Sequence, residues 1–343
     1  MSDLWKPSRR SFLKGSAAII GSAGLSAGPI STAFGATFPD RNLKVVVPTR
    51  EGGGADRLLR AVSGTWKNYL NGASVEAGFF PGASGRVGYE VYMNKYERDA
   101  YSLIFGNMGP EVLNWAVKAP KSFKFPGDYK YISRVDSDPC VLFVSAKSKF
   151  KSIDDVIAEG KKRTLSVATS RLAHPASIGC LALGDKSGAK FNLIPLSGGK
   201  KTKAGVATGE TDIGVLTSGT VIASGKTFRT LLVFHDVNPV GARLNNAPTM
   251  NDAFGTKLPP MLSSRAFGIH TETIQKHPDR VAFLTSTLDK VLADPDFKTN
   301  YIKTKAPWEY VNPGGEAECA KYVEGIFELG TRYKSYLTGG KKK

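Results

Sequence analysis

The feature that most constrains this chain is a repeated junction, in which a short apolar, β-branched run ends in a polar loop punctuated by glycine or proline. Asn42-Leu43-Lys44-Val45-Val46-Val47-Pro48 runs into Thr49-Arg50-Glu51-Gly52-Gly53-Gly54-Ala55-Asp56. Ser102 to Phe105 runs into Gly106-Asn107-Met108-Gly109-Pro110, and Leu165 to Ala168 into Thr169-Ser170-Arg171-Leu172-Ala173-His174-Pro175. Asn192 to Pro195 leads to Leu196-Ser197-Gly198-Gly199-Lys200, and Asp212 to Leu216 to Thr217-Ser218-Gly219-Thr220. Helical spacing follows the first loop at Leu58, Leu59, Val62, Trp66 and Tyr69. It returns late in the chain at Val281, Leu284, Leu288, Val291 and Leu292, then at Tyr322, Val323, Ile326, Phe327 and Tyr333. Strands alternating with helices predict an α/β protein with mostly parallel sheets. No internal repeat at solenoid spacing is present.

The first residues have a different character. Ser8-Arg9-Arg10-Ser11-Phe12-Leu13-Lys14 precedes a small-residue-rich stretch from Gly15 to about Ala33 with no acidic residue. This is the layout of a twin-arginine export signal. The competing reading, a membrane anchor, fits less well, because Gly21, Gly24, Gly28 and Pro29 interrupt a weakly hydrophobic stretch. Ala33-Phe34-Gly35 satisfies a small-x-small cleavage rule, so residues 1–35 read as the signal and the mature chain begins near Ala36. About 308 of the 343 residues then remain, enough for two medium α/β lobes, and no second apolar run is long enough to cross a membrane. The expected location is the periplasm.

The chain carries a formal charge of +17, and Lys6, Arg9, Arg10 and Lys14 against Asp3 assign +3 of it to the signal, leaving +14. Anionic partners are favoured. Nucleic acid is disfavoured, because the basic residues are scattered and the only dense run is Lys341-Lys342-Lys343. Cys140, Cys180 and Cys319 are odd in number and far apart, which reads as buried free thiols, with one disulfide the alternative.

In open parallel sheets, ligands bind beyond the carboxyl ends of strands, where loops enter helices and leave backbone N–H groups unpaired. Gly52-Gly53-Gly54 admits close backbone approach by a ligand and lacks both the dinucleotide GxGxxG spacing and the phosphate-loop ending. Further segments complete a recognisable order: Phe38-Pro39-Asp40-Arg41, Phe80-Pro81-Gly82-Ala83-Ser84-Gly85-Arg86-Val87-Gly88, Asp99-Ala100-Tyr101-Ser102-Leu103, Pro195-Leu196-Ser197-Gly198-Gly199 and Ala247-Pro248-Thr249-Met250.

In that order of segments the chain resembles the substrate-binding proteins of tripartite tricarboxylate transporters, the Bug family, over nearly all of its expected mature length. The resemblance implies a two-lobed, periplasmic-binding-protein-like (Venus flytrap) fold, with residues 36–141 and 262–343 in one lobe and 142–261 in the other. It implies a monomeric, non-catalytic protein with no cofactor, which captures a small carboxylate, foremost a dicarboxylate, and delivers it to membrane permease subunits; a sensing system is the alternative destination. Carried over by position, Gly53, Gly54, Ala55 and Asp56 form one half of a clamp, with Asn107 beside them. Ser170, Arg171, Ser197, Gly198, Gly199, Thr217 and Ser218 form the facing half. Two departures from the family pattern are charged. Arg50-Glu51 replaces small, aromatic or proline residues, and Arg265 stands where the family has an aromatic residue, either offering a guanidinium to a second carboxylate or standing as a solvated surface arginine. Arg86 ranks below Arg50 and Arg171 as a ligand group.

The runner-up from another class is an exported cofactor-dependent redox enzyme. His174, His235, His270 and His277 lack HExxH or i, i+4 spacing, and no cysteine pair stands near one, so no metal site is expected. A hydrolase built on Ser197 and His174 would lack the Gly-x-Ser-x-Gly elbow. His174 remains a candidate for touching the ligand.

Overall fold

The computed structural model describes residues 37–338, so the expected export signal, its cleavage site and the Lys341–Lys343 tail lie outside the described residues. Among the described residues ten strands form one sheet. They are β1 (Leu43–Val47), β2 (Val75–Phe79), β3 (Ser102–Asn107), β4 (Tyr129–Ser145), β5 (Leu165–Thr169), β6 (Phe191–Pro195), β7 (Ile213–Thr217), β8 (Phe228–Val233), β9 (Leu262–His270) and β10 (Val311–Gly314). The order is β2-β1-β3-β9-β4-β7-β5-β6, with β8 and β10 also pairing with β4.

The expectation of mostly parallel sheets holds only at the two wings. β1 pairs parallel with β2 and β3, and β5 with β6 and β7. The middle is antiparallel, because the chain leaves the first half along β4 and returns along β9, and these two oppositely directed strands pair with each other. β4 is long enough to serve both halves. It pairs with β9 as far as Pro139, then with β7 and β8 from Cys140 to Ser145.

Helices cover both faces of the wings, as parallel strands buried on both sides require. Tyr69 falls beyond the end of the helix Gly54–Trp66, half-buried in the short turn Lys67–Tyr69, while the helix buries Leu58, Leu59, Val62 and Trp66 as the spacing predicts. Each such side chain contributes ~1.5–3 kcal/mol of burial. Trp66 packs edge-on against Phe267 of β9 and donates its Nε1–H to Thr287 Oγ1 at 2.9 Å. Val281, Leu284, Leu288, Val291 and Leu292 are likewise buried on the helix Pro278–Ala293.

Two expected loops are absent as loops. β3 continues through Asn107 straight into the helix Met108–Val117, and Pro110 lies in its first turn, where a missing N–H costs nothing. β7 passes directly into the short helix Ser218–Ile222. The three cysteines are free and buried. Among the described residues no helix is long and apolar enough to cross a membrane.

Candidate functional site

The carboxyl ends of β1, β3, β5, β6 and β7 open onto one cleft of about 860 Å³. Of the candidate residues, Arg50, Gly53, Gly54, Ala55, Asn107, Ser170, Arg171, Ser197, Gly198, Gly199, Thr217 and Arg265 line it, while Asp56 and Ser218 do not.

Two facing helices begin at the cleft with bare ends. Gly54–Trp66 starts after Gly53 and Gly199–Thr208 after Gly198, and neither N-cap has a side chain to satisfy the first-turn N–H groups. Bare ends are not peculiar to the cleft, since Arg86–Lys95 and Pro278–Ala293 also lack a side-chain cap, but other helices are capped. Ser152 closes a capping box with Asp155, and Asp294 accepts from the N–H of Asp296. Unsatisfied first-turn N–H groups, with the positive end of the helix dipole, make a receptor for a carboxylate oxygen. Gly53 departs from that role, its N–H donating to the Arg50 carbonyl at 3.3 Å, and so does Gly198, whose N–H is spent on the Ser170 carbonyl at 3.1 Å. Gly198 also holds φ +109, a backbone position that favours glycine.

Asp56 and Ser218 depart from their expected roles for the same reason: their side chains hold the scaffold. Asp56 is 2% exposed, accepting from the Gly52 N–H and from Arg60 Nε, each at 2.7 Å, and so ties down the glycine loop. Ser218 is fully buried, donates to Asp138 Oδ1 at 2.9 Å and meets the Tyr310 hydroxyl.

The arginines divide by what they touch. Arg50 is exposed at the mouth and makes no ion pair among the described residues. Arg171 reaches across the cleft to donate from Nη1 to the Ser84 carbonyl at 2.9 Å. That carbonyl also accepts from Asn114, at 2.7 Å, and belongs to a loop in which Ala83 and Ser84 hold positive φ. Arg86 is structural, donating to the Asn114 and Lys118 carbonyls and lying over the Trp115 ring. Arg265 is nearly buried at the floor. Its Nε and Nη2 engage Asp136 at 2.8 and 2.5 Å, and Nη2 stands 3.7 Å from Asp138.

The sequence reading missed Asp138, the cleft's buried carboxylate, which accepts from the Ser218 hydroxyl and the Gly219 N–H, each at 2.9 Å. The available signal was two aspartates two positions apart in an otherwise strand-like stretch, Val135 to Val141. Burial pushes Asp136 up to about 6 and raises Asp138 also, with Arg265 opposing in both. Beneath the floor, burial pushes Glu111 up to about 8, against the pull of Arg171, and its Oε1 is buried without a partner. His174 lines the cleft as a neutral imidazole. Burial, then the charge of Arg171, pushes it down to about 3, and its Nδ1 accepts from the Ala176 N–H at 3.1 Å. Among the described residues, no group of three or more His, Cys, Asp or Glu side chains is placed to hold a metal ion.

Two α/β wings joined through β4 and β9, with a polar cleft at the strand ends, give the chain the fold of the periplasmic binding proteins. No family model matches the chain. Protein BugT of Bordetella pertussis is 29% identical over 182 residues, covering 52% of this chain and 54% of BugT. The match thus spans about half the length of that curated relative. An R. palustris protein solved with adipate superposes with TM-score 0.72 at 19% identity, covering 88% of this chain and 98% of its own. MatC from Rhodopseudomonas palustris with bound malate superposes with TM-score 0.66 at 18% identity, covering 88% of this chain and all of its own. These structures share the fold, and the BugT match bears out the resemblance to the Bug family carried by the sequence motifs.

Proposed function

We propose that this is an extracytoplasmic solute-binding protein that captures a small carboxylate, foremost a dicarboxylate, and hands it to the permease subunits of a tripartite tricarboxylate-type transporter. The observation that carries the reading is the pair of uncapped helix ends, at Gly54 and Gly199, opening on one cleft with Arg50, Arg171 and Arg265 around it. One carboxylate sits on the backbone N–H groups and the other end of the ligand meets guanidinium. The net positive charge raises the encounter rate of anions. The two lobes close about β4 and β9 as a hinge, and ligand contacts to both lobes favour the closed form. The adipate- and malate-bound structures of the same fold support a dicarboxylate ligand.

Catalysis gains no support from the cleft, since a neutral His174 with its Nδ1 occupied is a poor base for Ser197. Export by the twin-arginine route places the mature protein in the periplasm as a monomer. Replacing Arg9 and Arg10 with lysine is expected to leave it in the cytoplasm on fractionation.

A thermal-shift screen of mono-, di- and tricarboxylates tests the function. A ligand of the folded form at a hundredfold excess over its Kd adds ~2.7 kcal/mol and raises Tm by several degrees. Dicarboxylates are expected to give the largest rise. A rise with a sugar or a metal cation alone overturns the proposal.

A further inference from the structure

The floor of the cleft is more discriminating than a site for a bare carboxylate needs to be. Asp138 is anchored through one oxygen only: Oδ1 takes the hydrogen bonds from Ser218 and Gly219. Oδ2 accepts no hydrogen bond among the described residues, its neighbour being Arg265 Nη2 at 3.7 Å, and the side chain keeps 8% of its surface at the cavity it lines. Arg265 is anchored in the complementary way. Nε and Nη2 are spent on Asp136, while Nη1 has no hydrogen-bond partner among the described residues and points to the helix end, 3.5 Å from where a Cβ on Gly54 would stand. The unused acceptor and the unused donor therefore sit on two side chains that meet at 3.7 Å on the floor, each anchored by its other atoms.

Charge sharpens this. Two carboxylates face one guanidinium, so the ionised floor has one negative charge in excess. A second ligand carboxylate bound at Nη1 meets an attractive donor and, next to it, a repulsive Oδ2. A hydrogen-bond donor on the ligand carbon beside that carboxylate converts the repulsion into a bond.

We propose that Asp138 and Arg265 form a subsite for a carboxylate carrying a donor on its adjacent carbon, so that the ligand class is the small 2-amino or 2-hydroxy acids. The inference rests on the carboxylate-binding reading above. Sites built around a substrate donor discriminate strongly against analogues lacking it, because the buried acceptor is left unpaired.

Succinate, L-malate and L-aspartate differ only in bearing hydrogen, hydroxyl or ammonium at one carbon, and calorimetric titration of each into the mature protein tests the subsite. Malate, aspartate or both are expected to bind at least about tenfold tighter than succinate, and the tighter of the two identifies the donor. In Asp138→Asn, which keeps the shape and removes the free acceptor, the gap is expected to shrink below about threefold. Where that variant does not fold, the wild-type series decides alone. Succinate binding within about threefold of both others overturns the subsite and leaves the carboxylate reading standing. A gap that persists in Asp138→Asn overturns the assignment to Asp138. Failure of all three to bind at millimolar concentration overturns the subsite, and the thermal-shift screen then decides the carboxylate reading by itself.

Discussion

The walls of the cleft and its floor are built from opposite materials. The walls are uncharged backbone at two bare helix ends, Gly53 to Ala55 and Gly199, with little of their own structure at stake. The floor is a network of buried charge, Asp136, Asp138 and Arg265, with Tyr301 and Tyr310 beside it, and it lies at the strand pairing that joins the two wings. The difference teaches that binding and stability separate at the walls and coincide at the floor.

Four measurements test that comparison. Arg265→Met removes the guanidinium facing Asp136 and Asp138, and leaving buried carboxylates unpaired is expected to cost about 3–5 kcal/mol, read by urea denaturation. A loss below about 1 kcal/mol would show that the floor is not structural. Gly54→Leu places a side chain between the helix end and Arg265 without meeting a clash at Cβ. About hundredfold weaker dicarboxylate binding, ~2.7 kcal/mol, is expected at nearly unchanged Tm. An equal drop in Tm would erase the distinction between wall and floor.

The third measurement concerns pH. Glu111 titrates near 8 in the folded protein and near 4.5 when exposed, so the folded state holds its proton more tightly. Its contribution to stability is therefore complete below about 4.5 and is lost as pH rises through about 8. Stability is expected to fall by about 2 kcal/mol between pH 5 and pH 6.5, and Glu111→Gln to flatten that slope. An unchanged slope in the variant would assign the pH dependence elsewhere. The smallest effect belongs to a capped helix remote from the cleft: Ser152→Ala breaks the capping box and is expected to cost about 1 kcal/mol with ligand affinity untouched. A change in affinity there would mean that stability and binding are coupled across the whole molecule.

Much of this architecture is legible in the chain. Periodicity locates the helix that buries Leu58, Val62 and Trp66, and the β-branched runs locate β1, β5, β6 and β7. The glycine loops bring most of the candidate residues to one cleft. Legibility failed where pairing is long-range. Nothing local tells that β4 and β9 run antiparallel through the centre, because strand direction depends on where the chain returns. It failed again at Asp56 and Ser218, residues of the right type in the right loops whose side chains turn to the scaffold.

The sequence by itself determines the alternation of strand and helix, the bare glycine ends of two helices and the arginine at position 265, because each is a local matter of backbone freedom or residue type. Only the tertiary structure decides which polar atoms remain unspent. Asp138 and Arg265 become an acceptor and donor pair because Ser218 and Gly219, in the short helix after β7, occupy Asp138 Oδ1, while Asp136, on β4, occupies Nε and Nη2 of Arg265. Burial then makes the remaining two costly to leave unmet.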